Sequence, residues 1–497
     1  MARAQRELAS ERLILDLGSR QSLQEQIVRY FRNAIVSGQL RKGHPLPGSR
    51  RLARLQGVSR TTVMEAYQRL RAEGYVAARP RAGLFVADTL PEEFANATRS
   101  CPREAVPAPR ASARSDESTR DPSFVPPQPG VATQGLAPGV PALDLFPWRV
   151  WNRISASLLG RRETRLFAWS DPRGEPALRE AIAEYLGTLR GLSCDADQVI
   201  VGNGSQSLVE RVLHVLTQPG DEVWFEEPGD PDSRAVLRAA GLDPVPVPVD
   251  EEGIDVAAGM RAAPRARLAI VAPSHHYPLG VTLSEARRRS LLAWAERAGA
   301  WIVENEIDGD YRFVRRPLES MYSMDRAGRV IFLGSFNKAL APGLRVGYLV
   351  VPPSLVDTLV STAPPLSSPL VGVPQQMQLA RFWHDGHLAA YLRQLREVHA
   401  RRREALMAAL RSEAEGVLNP VGPPEAGLRV PLRLETTLAD GAIVEACRAQ
   451  GLRVGRAMSS CYVGKPARNG FGIGFAATPE EMIAPAVRRL VEITRSH

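Results

Sequence analysis

Residues 333–350 read LGSFNKALAPGLRVGYLV, and the single lysine among them decides how the chain is read. The flanking runs RVIFL (329–333) and GLRVGYLVV (343–351) are apolar and of strand length, which predicts two buried strands. Lys338 lies between them in a polar SFNK turn, with Arg345 following seven residues later. Working outward, the body of the chain alternates two patterns. EPALREAIAEYLGTLR, SQSLVERVLHVLTQ, PDSRAVLRAAG and SEARRRSLLAWAERAG have helical periodicity, whereas DQVIVGNG, DEVWFEEPG, RLAIVAPS, AWIVENEID and RVIFLGSF read as strands. That alternation predicts an α/β fold with a mainly parallel sheet covered on both faces. Such sheets bind ligands beyond the carboxyl ends of their strands, which is where Lys338 falls.

The chain has 497 residues, 44% of them hydrophobic and 24% charged, so more than one globular domain is expected. No apolar run approaches the roughly 18 residues of a membrane span. The opening MARAQRELASERLILDLGSRQ lacks an apolar core followed by a small-residue cleavage site, so no secretion signal is expected. Cys101, Cys194, Cys447 and Cys461 are scattered with no C-x-x-C spacing, which speaks against a zinc site or disulfide framework and suits a reducing cytoplasm. The charge is uneven. Residues 1–87 carry 16 Lys/Arg against 6 Asp/Glu, and the remaining 410 carry 47 against 48. A small basic module on a near-neutral body points to a polyanionic partner for that module alone.

Within the module, SLQEQIVRYFRNAIVS (22–37) aligns Leu23, Ile27, Phe31, Ala34 and Ile35 on one helical face. Ser49 is placed to cap a short helix carrying Leu52 and Leu55, which Gly57 ends. Ser59 then caps a third helix with Val63, Ala66, Tyr67 and Leu70 on one stripe. Two short helices around a tight turn make a helix-turn-helix, and YVAARPRAGLFVAD turns near Pro80–Gly83 as a two-stranded wing. In that motif the start of the recognition helix meets base edges, which nominates Ser59, Arg60, Thr61 and Thr62. Arg50 and Arg51 open the preceding helix to phosphates, Arg79 and Arg81 flank the wing tip, and Gly83 permits close approach of the wing backbone.

Residues 88–137 are rich in Pro, Ala, Ser, Arg and Gly and are read as a flexible, partly Pro-stiffened linker. The expected division is therefore a DNA-binding head (1–87), a linker (88–137) and an α/β body (138–497). In the body, a partly desolvated lysine at a strand end has a lowered pKa and can attack a carbonyl to give a Schiff base. Ser335, Arg345 and the Gly204–Ser205–Gln206 turn before a helix can hold a phosphate, the last through backbone N–H groups. An aldehyde together with a phosphate suggests pyridoxal 5′-phosphate (PLP). His275 and His276 in PSHHYPLG lie at a strand end, where one lines the pocket or both are structural. His384 and His387 have helical i, i+3 spacing but no third ligand, so no metal site is read.

The head sequence LPGSRRLARLQGVSRTTVMEAYQRLRAEGYVAARPRAGLFVAD resembles the winged-helix domain of GntR-type bacterial repressors. The segments SDPRGEPALREAIAEYL, NGSQS, DEVWFEEPG, PSHHYPLG, WIVENEIDGDYRF and GSFNKALAPGLRVGYLV resemble, in order, the fold-type I aminotransferase domain, mainly parallel with a smaller C-terminal subdomain. The two joined by a long linker resemble the MocR/GabR family of transcriptional regulators. The resemblance implies that Lys338 anchors PLP, that Ser205, Gln206, Ser335 and Arg345 surround its phosphate, that Tyr277 contacts the cofactor, and that the protein is a head-to-tail homodimer.

Four positions depart from the family pattern. Where the family reads EDDYDSEF this chain has ENEIDGDY (304–311), so Asn305 stands for the aspartate on the pyridine nitrogen and Ile307 for a ring-facing tyrosine. Asp230 stands for the aromatic that stacks on the ring. Gly472 stands for the arginine that grips a substrate carboxylate, with Arg429 and Arg468 as nearby candidates to replace it. Glu304 and Glu306 should face away from the ring, as strand neighbours do. Without the aspartate the cofactor's electron sink is weak, while capture of an amine at its aldehyde needs no such sink. The sequence therefore favours a regulator that binds operator DNA and senses a small amine or amino-acid-like effector, shifting the heads through the linker. A working aminotransferase with an appended head, and a regulator whose pocket takes a non-amine effector without PLP, are the alternatives.

Overall fold

The computed structural model describes residues 13–16, 18, 21–79, 83–88, 135–160, 163–309, 311, 313, 319–361, 371–421, 426–435 and 439–497. The chain divides into two compact units, Met1–Arg110 and Ala111–His497.

In the first unit, α1 (Leu23–Val36) starts at Ser22, whose hydroxyl accepts the Glu25 N–H at 3.2 Å. It is followed by α2 (Ser49–Gln56) and α3 (Arg60–Ala72). Two antiparallel strands, β1 (Val76–Arg79) and β2 (Gly83–Val86), pair Val76 with Val86 and Arg79 with Gly83. The expected helical faces are buried together: Ile27, Phe31, Ile35, Leu52, Val63, Ala66 and Leu70 form one core, and the buried Tyr67 hydroxyl donates to the Pro47 carbonyl at 2.9 Å. Two details differ from expectation. Gly48, not Ser49, is the N-cap of α2, and no side chain caps it. Leu55 is 50% exposed; the helix ends one residue later, Gly57 turns the chain at φ 65°, and the core contact passes to Ala53.

In the second unit Leu136 is fully buried and its carbonyl accepts the Gly474 N–H at 2.7 Å. After the helix Trp148–Gly160 comes α4 (Pro176–Tyr185), with proline pre-set for its first turn. An eight-stranded sheet follows, built from β3 (Val199–Asn203), β4 (Glu222–Glu227), β5 (Asp243–Asp250), β6 (Gly253–Ile254), β7 (Leu268–Val271), β8 (Trp301–Asn305), β9 (Val330–Ser335) and β10 (Val346–Val350). Its order is β3-β10-β9-β8-β7-β4-β5-β6. The pairs β4–β5, β4–β7, β7–β8 and β8–β9 are parallel, β10 runs antiparallel to both β3 and β9, and β6 is antiparallel to β5. The helices α5 (Gly204–Leu216), α6 (Pro231–Ala239) and α7 (Glu285–Ala298) connect strands, and a one-turn helix α8 (Phe336–Ala339) leads from β9 toward β10. A smaller C-terminal part contains α9 (His387–Glu413), the antiparallel sheet β11 (Leu418–Pro420), β12 (Arg429–Leu434) and β13 (Gly470–Gly474), and helices α10 (Asp440–Ala449) and α11 (Glu480–Arg495). This is the expected α/β architecture.

Register fixes the functional edge. Val346 lies opposite Asn203, and Gly347 opposite Ser335. The carboxyl ends of β3, β8 and β9 and the start of the reversed β10 therefore meet on one side. The strand predicted over 343–351 begins later, at Val346. Pro342–Leu344 tighten into a 3-10 turn and Arg345 takes a left-handed conformation at φ 52°. Likewise, the SFNK stretch is helical rather than a simple turn.

Gly347 is where β10 passes under the start of α5. A Cβ there would meet the Gly204 carbonyl carbon at 2.8 Å and the Ser205 nitrogen at 3.0 Å. Gly347→Ala, a change that commonly stabilises an unstrained site, is expected to cost about 1–3 kcal/mol by overpacking. Guanidinium denaturation followed by tryptophan fluorescence checks this; an unchanged or raised midpoint would contradict it.

Candidate functional site

The head presents its predicted residues at one end of α3 and α2. Ser59, Arg60 and Thr61 are exposed, and Thr62 is half-buried. Ser59 Oγ accepts the Thr62 N–H at 3.0 Å and lies 2.8 Å from Thr62 Oγ1. Ser59 and Thr62 are thus engaged in the cap, and Arg60 and Thr61 are the outward groups of that turn. Arg50 and Arg51 are exposed on the first turn of α2. On the wing, Arg79 lies over the Phe85 ring at 4.6 Å and 3.7 Å from Asp88, and Gly83 is exposed at φ 100°. Arg81 lies outside the described residues.

In the second unit a cavity of about 660 Å³ opens at the carboxyl edge of the sheet and contains Tyr277, Asn305 and Lys338. Lys338 is held by its backbone. Ser335 Oγ accepts the Asn337 N–H at 3.2 Å at the start of α8, and the buried Tyr311 hydroxyl contacts the Lys338 and Ala339 carbonyls, each at 3.3 Å. The Lys338 ammonium pairs with Asp308 Oδ1, and Asp308 Oδ2 lies 3.3 Å from the Arg429 guanidinium. Arg429 stacks on the Tyr277 ring at 4.5 Å and donates to the His276 carbonyl at 3.4 Å. Burial lowers the Lys338 pKa, with Arg429 acting in the same direction and Asp308 opposing. Burial would raise Asp308, but the adjacent Lys338 and Arg429 charges outweigh it and hold its carboxyl well below the usual range. Burial, reinforced by Arg429, pushes His275 down to about 3, so it is neutral.

The departures from the family pattern acquire physical meanings. Asn305 Oδ1 accepts the Ile307 N–H at 3.3 Å at the end of β8, and both side chains line the cavity. Asp230 is the N-cap of α6, accepting the Ser233 N–H at 3.1 Å and its hydroxyl at 2.7 Å; the carboxylate that stands for a stacking aromatic is turned to helix capping. Glu304 accepts the Met321 and Tyr322 N–H groups at 2.8 and 2.9 Å, and Glu306 pairs with Arg190 at 2.5 Å. Neither glutamate lines the cavity, in line with the strand alternation. Of the two arginines near Gly472, Arg429 lines the cavity, whereas Arg468 lies 3.6 Å from Glu251 and does not.

Gly204, Ser205, Gln206, Ser335 and Arg345 do not line that cavity. They form a neighbouring cluster at the ends of β3, β9 and β10. Gly204, Ser205 and Gln206 are the first turn of α5 itself, not a turn before it, and no side chain caps that turn. A Cβ on Gly204 (φ 79°) would lie 3.2 Å from the Arg345 guanidinium, and the Ser335 hydroxyl contacts the Val346 carbonyl at 3.4 Å. An amine of lowered basicity beside an uncapped helix start, a guanidinium and a hydroxyl is a donor set that fits an aldehyde carrying a phosphate.

Comparison with known proteins identifies the two units. Residues 23–86 match the bacterial regulatory proteins of the gntR family, and residues 159–490 match aminotransferase class I and II. The chain is 34% identical to the probable rhizopine catabolism regulatory protein MocR of Rhizobium meliloti, covering 96% of this chain and 95% of that one. The chain belongs to the MocR/GabR family of transcriptional regulators. It is also 34% identical to the regulator TauR of Rhodobacter capsulatus, over 80% of this chain and 82% of TauR. Among solved structures it is similar to LysN, the α-aminoadipate aminotransferase of Thermus thermophilus, with a TM-score of 0.66 and 25% identity over 73% of this chain and 92% of LysN. As a family member the chain joins a GntR DNA-binding domain to a fold whose enzymes depend on PLP.

Sequence reasoning missed Asp308 and Tyr311. Both stand in the quoted ENEIDGDY, but only the fold brings them beneath Lys338. His384 and His387 do not share a helix: His384 ends the helix Val373–His384, Gly386 turns the chain, and His387 begins α9. No cluster of metal-ligating side chains occurs among the described residues, and no helix among them is long and apolar enough to cross a membrane.

Asp308→Asn would leave the half-buried Lys338 and the buried Arg429 without their shared anion. In protein freed of small ligands the expected loss is about 1–3 kcal/mol near pH 7, less than for a fully buried pair because Lys338 is 22% exposed. Asp308 has a folded pKa below its unfolded value of about 3.9, so its contribution is present above that pH and fades as pH falls toward the folded value. Denaturation of both proteins should give a constant difference from about pH 7 down to about pH 5; a difference already absent at about pH 6 would contradict the assignment.

Proposed function

We propose that this regulator senses a small primary amine or amino-acid-like effector in its aminotransferase-like unit, with PLP held at Lys338, and transmits that occupancy to operator binding by the winged helix. The observation that carries the reading is the lowered-pKa Lys338 at the carboxyl edge of the sheet, the edge that also carries the uncapped start of α5 with Arg345 packed against Gly204. The first turn of α5, Ser335 and Arg345 would hold the phosphate, Lys338 the aldehyde carbon, and Asn305, Ile307 and Tyr277 the ring. LysN, the structural relative above, was solved with N-(5′-phosphopyridoxyl)-L-leucine. PLP supplies an aldehyde that captures primary amines and, when its ring nitrogen is kept protonated, an electron sink.

The residues of this chain favour capture over turnover. Asn305 offers a neutral hydrogen bond, worth roughly 1 kcal/mol, where a carboxylate would offer a charge-assisted one of roughly 1.5–3. It cannot keep a proton on the ring nitrogen, and Glu304 and Glu306 are committed elsewhere. Asp308 holds Lys338 and Arg429 in one electrostatic unit, so an arriving ligand perturbs both. We further propose a cytoplasmic, head-to-tail homodimer, with residues 1–87, 88–137 and 138–497 as head, linker and body.

Two measurements test this. Borohydride reduction of the purified protein with PLP is expected to fix a phosphopyridoxyl label on the peptide containing Lys338; a label spread over surface lysines would contradict the assignment. Operator affinity should fall linearly with log salt. Arg50→Ala should reduce that slope by about 1, and Arg60→Ala should cost about 1–3 kcal/mol of discrimination between operator and random DNA. Equal effects of both substitutions on all sequences would remove Arg60 from base reading.

A further inference from the structure

Charge and packing in the cavity single out Arg429. It is 6% exposed, its Nε has no hydrogen-bond partner among the described residues, and it shares Asp308 with Lys338. Elsewhere in the cavity, Arg456 grips Asp232 at 2.8 and 2.9 Å and Arg448 pairs with Glu445 at 2.8 Å. The half-buried Lys338 and the buried Arg429 share Asp308 as their directly paired carboxylate, while Asp230 in the same cavity also favours the Lys338 ammonium but is engaged in capping α6; a buried charge is costly unless paired.

Arg429 also fills a specific space. β12 and β13 pair Arg429 with Gly474 and Pro431 with Gly472. A Cβ added at Gly472 would lie 3.5 Å from the Arg429 Cδ. A long side chain from position 472 and the Arg429 side chain would therefore compete for one volume. Beside it, His275 is 3% exposed, lines the cavity, and has neither ring nitrogen partnered among the described residues. Its ring is held by two glycines: a Cβ at Gly427 would meet it at 2.6 Å and one at Gly280 at 3.3 Å. A buried imidazole without a partner loses its hydration for nothing in return; its retention in the cavity wall suits hydrogen bonding to an incoming polar group.

We infer that Arg429, assisted by His275, is the carboxylate-binding subsite of this regulator, taking over from position 472, and that its effector is a short amino acid. The inference rests on Lys338 as the amine-reading end. One carboxylate, that of Asp308, bridges Lys338 and Arg429, so the two cations are no further apart than a single carboxylate can span. A ligand whose amine and acid groups are separated by one or two carbons matches that span, and a long ω-amino acid does not.

The test is calorimetric titration of the full-length protein, loaded with PLP, with glycine, β-alanine, δ-aminovalerate and n-propylamine. Wild type is expected to bind glycine or β-alanine more tightly than the other two. Arg429→Gln should weaken that binding by about tenfold to a hundredfold while leaving n-propylamine within about twofold, and Arg429→Gly combined with Gly472→Arg should recover most of the loss. If neither short amino acid binds wild type, if Arg429→Gln leaves their affinity unchanged, or if it weakens n-propylamine equally, the inference is overturned. A protein that never takes up PLP yet shows the Arg429-selective loss supports this subsite and overturns the role given to Lys338. A Lys338-linked label without Arg429 selectivity does the reverse.

Discussion

Two cations, the half-buried Lys338 and the buried Arg429, share the carboxylate of Asp308, and the rest of the site is arranged around that triad. Asp308 pairs with both. The pairing is possible because β8 and β9 run parallel and end side by side. Asp308 then follows β8, Lys338 follows β9, and β12 brings Arg429 from the C-terminal part. Tyr311 anchors the backbone of Lys338 from below. The low local dielectric makes such a triad costly to leave incomplete.

Much of this was legible in the sequence because the relevant signals are local. Alternating periodicities gave a parallel α/β sheet, and glycine and serine punctuation gave the helix-turn-helix, since caps and turns are set by adjacent residues. Lys338, Asn305 and Tyr277 share a cavity; a strand-end position pointed to it for Lys338, and the family resemblance for Asn305 and Tyr277. What was not legible depends on register and side-chain direction. Asp308 reads as one more acidic residue in a loop until β8 is laid beside β9. The helical spacing of His384 and His387 looked continuous, but Gly386 at φ 78° separates two helices. Ser49 looked like a cap, yet the backbone enters the helix one residue earlier.

The departures from the family pattern also form a physical set. Asp230 caps a helix, Asn305 closes a turn with Ile307, and Gly472 leaves space that Arg429 uses. Against the family pattern, the first two stand for groups that meet the cofactor ring and the third for the arginine that grips a substrate carboxylate. The lysine and the uncapped helix start beside Arg345, which suit holding a phosphorylated aldehyde, are retained. The fold of a group-transfer enzyme is here attached to a GntR DNA-binding domain.

The central claim is that Lys338 is the attachment point for PLP in a DNA-binding regulator. The visible absorption spectrum of the purified protein with PLP added tests it most directly. The account predicts a cofactor band distinct from that of free PLP in wild type, shifted by a short amino acid and missing from Lys338→Ala. A protein that stays colourless with excess cofactor, or a Lys338→Ala variant with an unchanged band, would contradict it.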